Sequence, residues 1–185
     1  MLKKYFNKIL LNFFIVIFIF AFDRISKLHV LNLFETDQFV NIYINQYINF
    51  HLIWNTGIGF GLFSSGTNFY YNFITLLIIL INLIILIIIF KSNNYKLFLF
   101  LIILGGSLGN LFDRIYYKAV PDFIDLHYND FHWFIFNVAD IFITVGVICL
   151  IFAEIFLNKS KNENEIIIKK NNSLEKSISA ILSAK

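Results

Sequence analysis

Two aspartates, Asp122 and Asp140, lie at the edges of long apolar segments in this 185-residue chain. Moving an ionised aspartate into hydrocarbon costs about 3 kcal/mol on insertion scales, so carboxyl groups kept beside such segments are expected to have a use. Two carboxyl groups in one partly dehydrated site can share a proton, one acting as a general base towards water and the other as a general acid. The pair is therefore a candidate centre for hydrolysis.

A third polar residue, Asn137, stands three positions before Asp140. The two side chains share one face if the segment that follows is helical. Either residue can instead be the N-cap of that helix, because Asn and Asp are favoured there. Asp122 lies just upstream, in what we predict to be a connecting loop, and this favours a joint role for the two aspartates.

The third apolar segment ends in a polar cluster that also contains glycines. Gly105 and Gly109 form a small-xxx-small face that lets a neighbouring helix approach closely. Asn110 and Asp113 share a face, and Arg114 follows. A glycine-packed helix crossing with an Asp–Arg pair that reaches water explains the glycines. It does not explain why this polar cluster lies at the same membrane depth as the two aspartates.

A glycine-alternating segment begins at Asn55. Gly57, Gly59 and Gly61 would expose the backbone on one face of an extended strand, where another chain can approach and pair. A flexible turn is the competing interpretation.

The remaining candidate residues favour structural roles. Asp23 and Lys27 form an i,i+4 pair in the favourable order, which predicts a structural ion pair. The single cysteine, Cys149, rules out an internal disulfide. The histidines match no metal-ligand spacing, and we expect neither a metal nor an organic cofactor. They are His29, His51, His127 and His132.

Composition places the apolar segments in a membrane. The chain is 58% hydrophobic and 19% aromatic, more than a soluble domain of this size can bury. Its net charge is only +3, and it has no basic stretch interleaved with aromatic residues, which excludes a nucleic-acid partner.

We predict a mainly α membrane protein whose single membrane domain covers residues 1–158. Only helices and closed barrels satisfy backbone groups in lipid, and the alternating pattern of a barrel is missing. The four predicted transmembrane helices cover about residues 5–22, 69–90, 95–112 and 136–157. Residues 28–68 show partial alternation, which predicts an extracytoplasmic β-rich segment between helices 1 and 2. Residues 159–185 are predicted to form a flexible cytoplasmic tail.

The distribution of lysines predicts the orientation of the helices. Lysines cluster before the first helix, around the turn between the second and third, and after the fourth, whereas residues 28–68 contain neither Lys nor Arg. The segment between the third and fourth helices has a single lysine, Lys118. The positive-inside bias therefore places both termini in the cytoplasm, and Asp122 and Asp140 at the outer surface.

Taken in chain order, these strings resemble lipoprotein signal peptidase, the signal peptidase II family of aspartic proteases in the bacterial inner membrane. The resemblance spans about residues 23–146 with all four helices in the expected order. Its motifs are Asp23-Arg24 with Lys27, Asn55-Thr-Gly57 with Phe60-Gly61, Gly105-Gly106-Ser-Leu-Gly109-Asn110 with Asp113-Arg114 and Val120-x-Asp122-Phe123, and Phe136-Asn137-x-Ala139-Asp140. Each motif alone is weakly specific, but four in order are strongly specific.

The resemblance implies that Asp122 and Asp140 are the catalytic dyad. It implies that five residues support the dyad or bind substrate, namely Asn55, Gly57, Asn110, Arg114 and Asn137. It implies structural or near-site roles for Asp23, Lys27 and Asp113. Three positions depart from the family pattern: Gly59 replaces Ala, Ala119 replaces Gly, and Pro121 replaces a β-branched residue. Pro121 removes a backbone N–H beside Asp122.

The resemblance also implies the substrate and the location. The substrate is a prolipoprotein with a diacylglyceryl-modified cysteine, cut at the outer face of the cytoplasmic membrane by a monomer in contact with membrane lipid. Two other classes compete on the residues alone. A small transporter or proton conductor would use the same acids, but the helix interiors offer only Asn12, Asn72 and Asn82. A non-catalytic scaffold predicts that Gly109→Leu is damaging while Asp122→Asn is silent.

Overall fold

Four long helices account for most of the chain. The computed structural model describes residues 2–37, 40–57, 68–92, 95–129 and 131–156. The helices are α1 (Leu2–Asp37), α2 (Asn68–Lys91), α3 (Tyr95–Tyr117) and α4 (Val138–Phe156). Each is long and apolar enough to cross a bilayer, which confirms the predicted mainly α membrane fold.

The helix α3 is central in this arrangement. In its most apolar stretch 44% of the residues are buried, against 17% for α2, and it packs against both α1 and α2. The outward side chains of α2 include Phe69 and Phe90, which are 75% and 87% exposed. Exposing such faces to water would cost about 25 cal/mol per Å², whereas lipid tails solvate them. The site-bearing helix is thus the one most enclosed by protein.

The helix α1 is longer than predicted. We predicted an end near residue 22 because Asp23 and Arg24 follow, but the helix continues to Asp37. Asp23 and Lys27 are fully buried and form an ion pair with each other, and Lys27 forms a second one with Asp113 of α3, so their charges do not have to reach water. The first ten residues of the predicted outer segment, 28–37, are therefore helical.

A four-stranded antiparallel sheet joins two distant stretches of the chain in the order β1-β2-β3-β4. As predicted, β1 (Asn41–Asn45) and β2 (Ile48–Asn55) lie between α1 and α2. The strands β3 (Val120–Tyr128) and β4 (Phe131–Phe136) lie between α3 and α4, where we predicted a connecting loop. Residues 120–123 are buried without interruption, which removes the alternation by which a half-buried strand is identified. Because β3 has β2 on one side and β4 on the other, Asp122 lies in a central strand.

The structure accommodates the departures from the family pattern at Pro121, on β3, and at Ala119, just before it. Pro121 pairs with Trp54 of β2 on one side, but the pairing of β3 with β4 begins only at Ile124. On the β4 side Pro121 therefore occupies an edge position, where a missing N–H is tolerated. The residue with a positive φ in the preceding turn is Lys118, at 61°, so Ala119 occupies a backbone conformation open to any residue.

A small hydrophobic core fastens β3 to α1. It consists of Val30, Val40 and Phe123, with Phe50 packed against it. The rings of Phe50 and Phe123 meet edge to face with centroids 5.7 Å apart. Phe123 directly follows Asp122, so this packing anchors the strand that carries the aspartate.

The chain divides into two units, Met1–Val147 and Ile148–Lys185. The first holds α1 to α3, the sheet and the start of α4, whereas the described residues of the second complete α4. The predicted tail, residues 159–185, and most of the glycine-alternating segment, residues 58–61, lie outside the described residues.

Candidate active site

The helix α4 begins with a reciprocal pair of hydrogen bonds. Asn137 precedes the helix, and its side-chain Oδ1 accepts from the backbone N–H of Asp140 at 3.1 Å. In return, Asp140 Oδ2 accepts from the backbone N–H of Asn137 at 3.2 Å. This is a capping box, so the N-cap interpretation of Asn137 is correct. It leaves Asp140 Oδ1 and Asn137 Nδ2 for other partners.

Asn137 also binds the other aspartate. Its Nδ2 donates to Asp122 Oδ1 at 2.6 Å, and the whole residue is buried. One asparagine thus contacts a carboxyl group on β3 and another on α4. The two aspartates meet at a single residue, as a shared site requires.

Asp122 is held in a largely dehydrated position. It is 2% exposed, and Asn55 of β2 donates from Nδ2 to Asp122 Oδ2 at 2.9 Å. Burial, reinforced by the negative charge of Asp140, raises the pKa of Asp122 from 3.8 to about 7. The hydrogen bonds from Asn137 and Asn55 lower the pKa, because they stabilise the ionised form. Burial is the larger effect, so this carboxyl group exchanges its proton near neutral pH.

The helix α3 orients Asp140 through Asn110. Asn110 Nδ2 donates to Asp140 Oδ1 at 2.8 Å, and Asn110 Oδ1 accepts from Lys27 Nζ at 2.8 Å. An ammonium group can only donate, so it binds the amide oxygen and turns the NH₂ group towards Asp140. Lys27 therefore acts on the site through Asn110.

A buried charge network surrounds Lys27 and ties α1 to its neighbours. Lys27 Nζ donates to Asp23 Oδ2 at 2.8 Å and to Asp113 Oδ2 at 2.7 Å, and Arg24 forms an ion pair with Asp113. Asp23 Oδ1 accepts from the backbone N–H of Ala139 at 3.0 Å, in the first turn of α4. Removing one partner from such a buried network typically costs about 3–5 kcal/mol, so these charges hold the first turn of α4 in place.

Arg114 brings a cation to the same region. It is 3% exposed, and its Nη2 donates to the carbonyl oxygen of Gly57, just after β2. Tyr71 of α2 places its ring 5.8 Å from the guanidinium and donates its hydroxyl to the Arg114 carbonyl. Arg114 Nε and Nη1 are buried and have no hydrogen-bond partner among the described residues. Both nitrogens can therefore donate hydrogen bonds to a ligand.

These groups line one cavity of about 240 Å³. Its polar lining comprises Asn55, Ser107, Asn110, Arg114, Asp122, Asn137, Asp140 and Thr144. Ile78 of α2 and Ile143 of α4 contribute apolar walls. At about 30 Å³ per water molecule, the volume accommodates a peptide group together with a water that attacks it.

All ten residues singled out from the sequence lie in one connected set of hydrogen bonds and ion pairs. Two features were missed. Tyr71 carries no signal that distinguishes it from the other tyrosines of the chain. Asp125, His127 and His132 bring metal-ligating atoms within 4.8 Å of one another. Asn129 and Asp130, two turn-favouring residue types between the histidines, are the sequence signal that favours a hairpin here.

Comparison with known proteins points to one family. The family model described as Signal peptidase (SPase) II matches residues 15–156. A lipoprotein signal peptidase of Pelagibacter ubique (strain HTCC1062) is 50% identical over 155 residues, which cover 84% of this chain and 93% of that protein. Another, from Anaplasma phagocytophilum (strain HZ), is 37% identical over 137 residues, with coverages of 74% and 86%. A bacterial membrane enzyme solved by the in meso method has a similar structure, with a TM-score of 0.61 and 26% identity over 82% of this chain and 90% of that chain.

Proposed function

Because the chain belongs to the signal peptidase II family, we propose that it removes signal peptides from prolipoproteins as an intramembrane aspartic endopeptidase. Asp122 and Asp140 are the catalytic dyad. The observation that carries this proposal is that Asn137 hydrogen-bonds both carboxyl groups beside one cavity. Two carboxyl groups that share an amide and face a cavity are arranged for shared-proton hydrolysis.

The dyad holds one proton near neutral pH, because two adjacent carboxyl groups cannot both ionise cheaply. The raised pKa of Asp122, about 7, supports this state. The ionised carboxylate accepts a proton from water as the water oxygen attacks the scissile carbonyl carbon. The protonated carboxyl group donates to the carbonyl oxygen and stabilises the charge that develops there. Breakage of the C–N bond then releases the amine with a proton from the dyad.

The neighbouring side chains position the dyad and the peptide. Asn55, Asn110 and Asn137 each donate to an aspartate oxygen and hold its carboxyl group in place. The Gly57 carbonyl and the Tyr71 ring orient the guanidinium of Arg114. Arg114 Nε and Nη1, buried and unpartnered among the described residues, donate to a backbone carbonyl of the substrate.

The substrate carries a lipid-modified cysteine and reaches the dyad from the bilayer. An apolar groove of about 220 Å³ supports this, because it extends to Asp140 along the outer turns of α4. Its apolar lining includes Phe136, Ile141 and Val145. A diacylglyceryl group can remain in this lipid-facing groove while the peptide enters the polar cavity.

The enzyme works as a monomer in the bacterial cytoplasmic (inner) membrane, with both termini in the cytoplasm and the dyad facing outward. Four apolar helices make the chain a multi-pass membrane protein. The lysine distribution supports the orientation. Lys8 lies near the start of α1 and Lys91 ends α2, and the positive-inside bias assigns both of these helix ends to the cytoplasm.

Proteolysis explains the polar groups better than ion conduction does. A conductor needs ionisable groups through the depth of the bilayer. Among the described residues, the buried charged side chains of the helices are Asp23, Arg24, Lys27, Asp113 and Arg114, all in or beside the network around the dyad. The buried amide of Asn82 donates to Ser107 Oγ and to the Ile78 carbonyl, as a packing contact does.

The proposal is tested by cleavage of a lipidated prolipoprotein, followed as a gel shift. Purified Asp122→Asn and Asp140→Asn proteins should each lose at least ~100-fold in rate, since each removes an acid/base group. The control is Glu35→Gln, which neutralises an acid on α1 outside the proposed site and should cleave at the wild-type rate. Thermal unfolding should show that both Asn variants remain folded, because Asn places no charge in the buried site. Substantial cleavage by either folded variant removes the dyad assignment.

A further inference from the structure

A second cluster of chemically competent side chains lies on the β3–β4 hairpin. Asp125, His127 and His132 each offer one ligand atom, and these atoms lie within 4.8 Å of one another. The side chains of Asp125 and His127 are 4% and 9% exposed, whereas that of His132 is 56% exposed. None of the three lines the cavity that contains the aspartate dyad.

A β-bulge brings the three side chains to one face. Asp125 and His127 are two residues apart on β3 and therefore point the same way. Leu126 pairs with Phe134, but His127 pairs with His132, so β4 holds one extra residue between these pairs. Without that bulge, His132 would point to the opposite face. The local irregularity thus creates the cluster.

Electron-pair donors in this region lack partners. Asp125 Oδ1 and His127 Nδ1 are buried and accept no hydrogen bond from any described residue. Asn49, opposite Asp125 on β2, has a buried Oδ1 in the same state. A buried acceptor left unsatisfied costs about 1–3 kcal/mol, and three near one another form an environment that a cation would stabilise.

We propose that Asp125, His127 and His132 bind one divalent transition-metal ion, such as Zn²⁺. Two imidazoles and one carboxylate form a donor set that suits such ions, whereas Mg²⁺ and Ca²⁺ prefer oxygen ligands. His132 Nδ1 is already 2.7 Å from Asp125 Oδ2, and the imidazole centroids of His127 and His132 are 5.3 Å apart. Small side-chain rotations would bring the three ligand atoms to about 2 Å from a shared ion.

The exposed side of His132 provides the entry path and leaves a coordination position for water. The ion joins β3 to β4 at the turn end of the hairpin. Asp122 lies three residues before Asp125 on β3, and β4 leads directly to Asn137. The bound ion therefore stiffens the two strands that present the dyad, and we assign it no part in peptide cleavage.

The test uses the full-length protein, purified in detergent after treatment with a chelator. Co²⁺ titration should produce visible d–d absorption that saturates at one ion per chain, and Zn²⁺ should displace it. Zn²⁺ should also raise the unfolding temperature. His127→Gln and His132→Gln should each weaken Zn²⁺ binding at least ~10-fold, because each removes a ligand. His29→Gln removes an exposed imidazole from α1 and should leave the affinity unchanged.

Two results overturn the proposal. If the wild-type protein shows no saturable Co²⁺ signal, the cluster is an ion pair between His132 and Asp125 only. If binding occurs but is as strong in His132→Gln as in the wild type, the ion lies elsewhere. His132 is largely exposed, so its variant is expected to fold, and circular dichroism and thermal unfolding check this before the titration.

Discussion

Asn137 performs two tasks that competed as explanations of its presence. Its Oδ1 and backbone N–H complete the capping box with Asp140, while its Nδ2 donates to Asp122. A cap alone would use only the side-chain acceptor and would work equally well with serine or aspartate. The amide is required because the residue must accept from one aspartate and donate to the other.

We expect Asn137→Ser to separate these two tasks. Serine retains an acceptor for the Asp140 N–H, so the stability loss should be at most ~1 kcal/mol. It cannot also reach Asp122, so kcat/KM should fall by ~10–100-fold through misplacement of a carboxyl group. Thermal unfolding and cleavage rates measure the two effects. Asn137→Ala serves as the comparison, since it should lose both the cap and the activity. Equal activity in Asn137→Ser and the wild type would show that the amide has no role.

We expect the raised pKa of Asp122 to set the pH dependence of the proposed cleavage. The dyad needs one proton, so the rate should decline as the pH rises through about 7, where Asp122 loses its proton. Asn55 stabilises the ionised carboxylate, so Asn55→Ala should raise the pKa of Asp122 and move the alkaline limb of kcat/KM to higher pH. Asn41→Ala, on the exposed strand β1, should leave the profile in place. An alkaline limb that stays or moves to lower pH in Asn55→Ala would contradict this account.

At the scale of the helices, the contact between α3 and α4 fixes the position of Asp140, the proposed dyad residue on α4. A Cβ atom on Gly106 would lie 2.6 Å from the carbonyl oxygen of Ala139 and 3.0 Å from Ile143 Cγ1. The nearer obstacle is backbone in the first turn of α4, which cannot rotate away. On Gly109 a Cβ would collide with the Asp23 carboxylate. The small-xxx-small pattern of Gly105 and Gly109 thus marks the close approach of α1, whereas Gly106, outside that pattern, allows the close approach of α4.

We expect Gly106→Ala to displace the start of α4. Overpacking should cost about 1–3 kcal/mol, and cleavage should fall by ~100-fold although every dyad residue is present. Gly105→Ala is the matched control, because its Cβ would meet the Ile19 side chain at 2.8 Å on α1 instead. That variant should lose stability but retain most of its activity. Thermal unfolding and single-turnover cleavage compare the two, and similar activities would refute the positional argument.

In the unit Met1–Val147, charged side chains are buried and large apolar side chains are exposed. Asp23, Lys27 and Asp113 are fully buried, whereas Phe69 and Phe90 are mostly exposed. This inversion of the usual soluble pattern suits a chain whose solvent is lipid and whose chemistry needs water only at one cavity. The lysine bias supports the proposed orientation of the helices.

We expect single cysteines to report the proposed orientation. In a Cys149→Ser background, Tyr128→Cys at the β3–β4 turn should react with a membrane-impermeant maleimide in spheroplasts. Ser92→Cys, which follows α2, should react only after the membrane is opened. Cys149→Ser alone controls for background labelling. The reverse pattern would place the dyad on the cytoplasmic side.

The linear sequence was sufficient for the four spanning helices, because lipid demands long apolar helical segments and composition reveals them directly. It also singled out the ten candidate site residues, partly because polar groups beside such segments are costly without a purpose and partly through the family resemblance, and their roles stay predictions. It misplaced the end of α1, since a buried ion pair such as Asp23–Lys27 cannot be told from an exposed one without its partner Asp113, 86 residues away along the chain from Lys27.

The tertiary arrangement alone established the pairing and register of β3 and β4, the contact of Asn137 with both aspartates, and the Asp125–His127–His132 cluster. Strand pairing and register depend on contacts between distant residues, and one bulged residue decides which face His132 occupies. Local sequence specifies where apolar surface and chemistry are available. Which polar atoms meet is settled by packing between segments, because burial and hydrogen-bond geometry act through space and not along the chain.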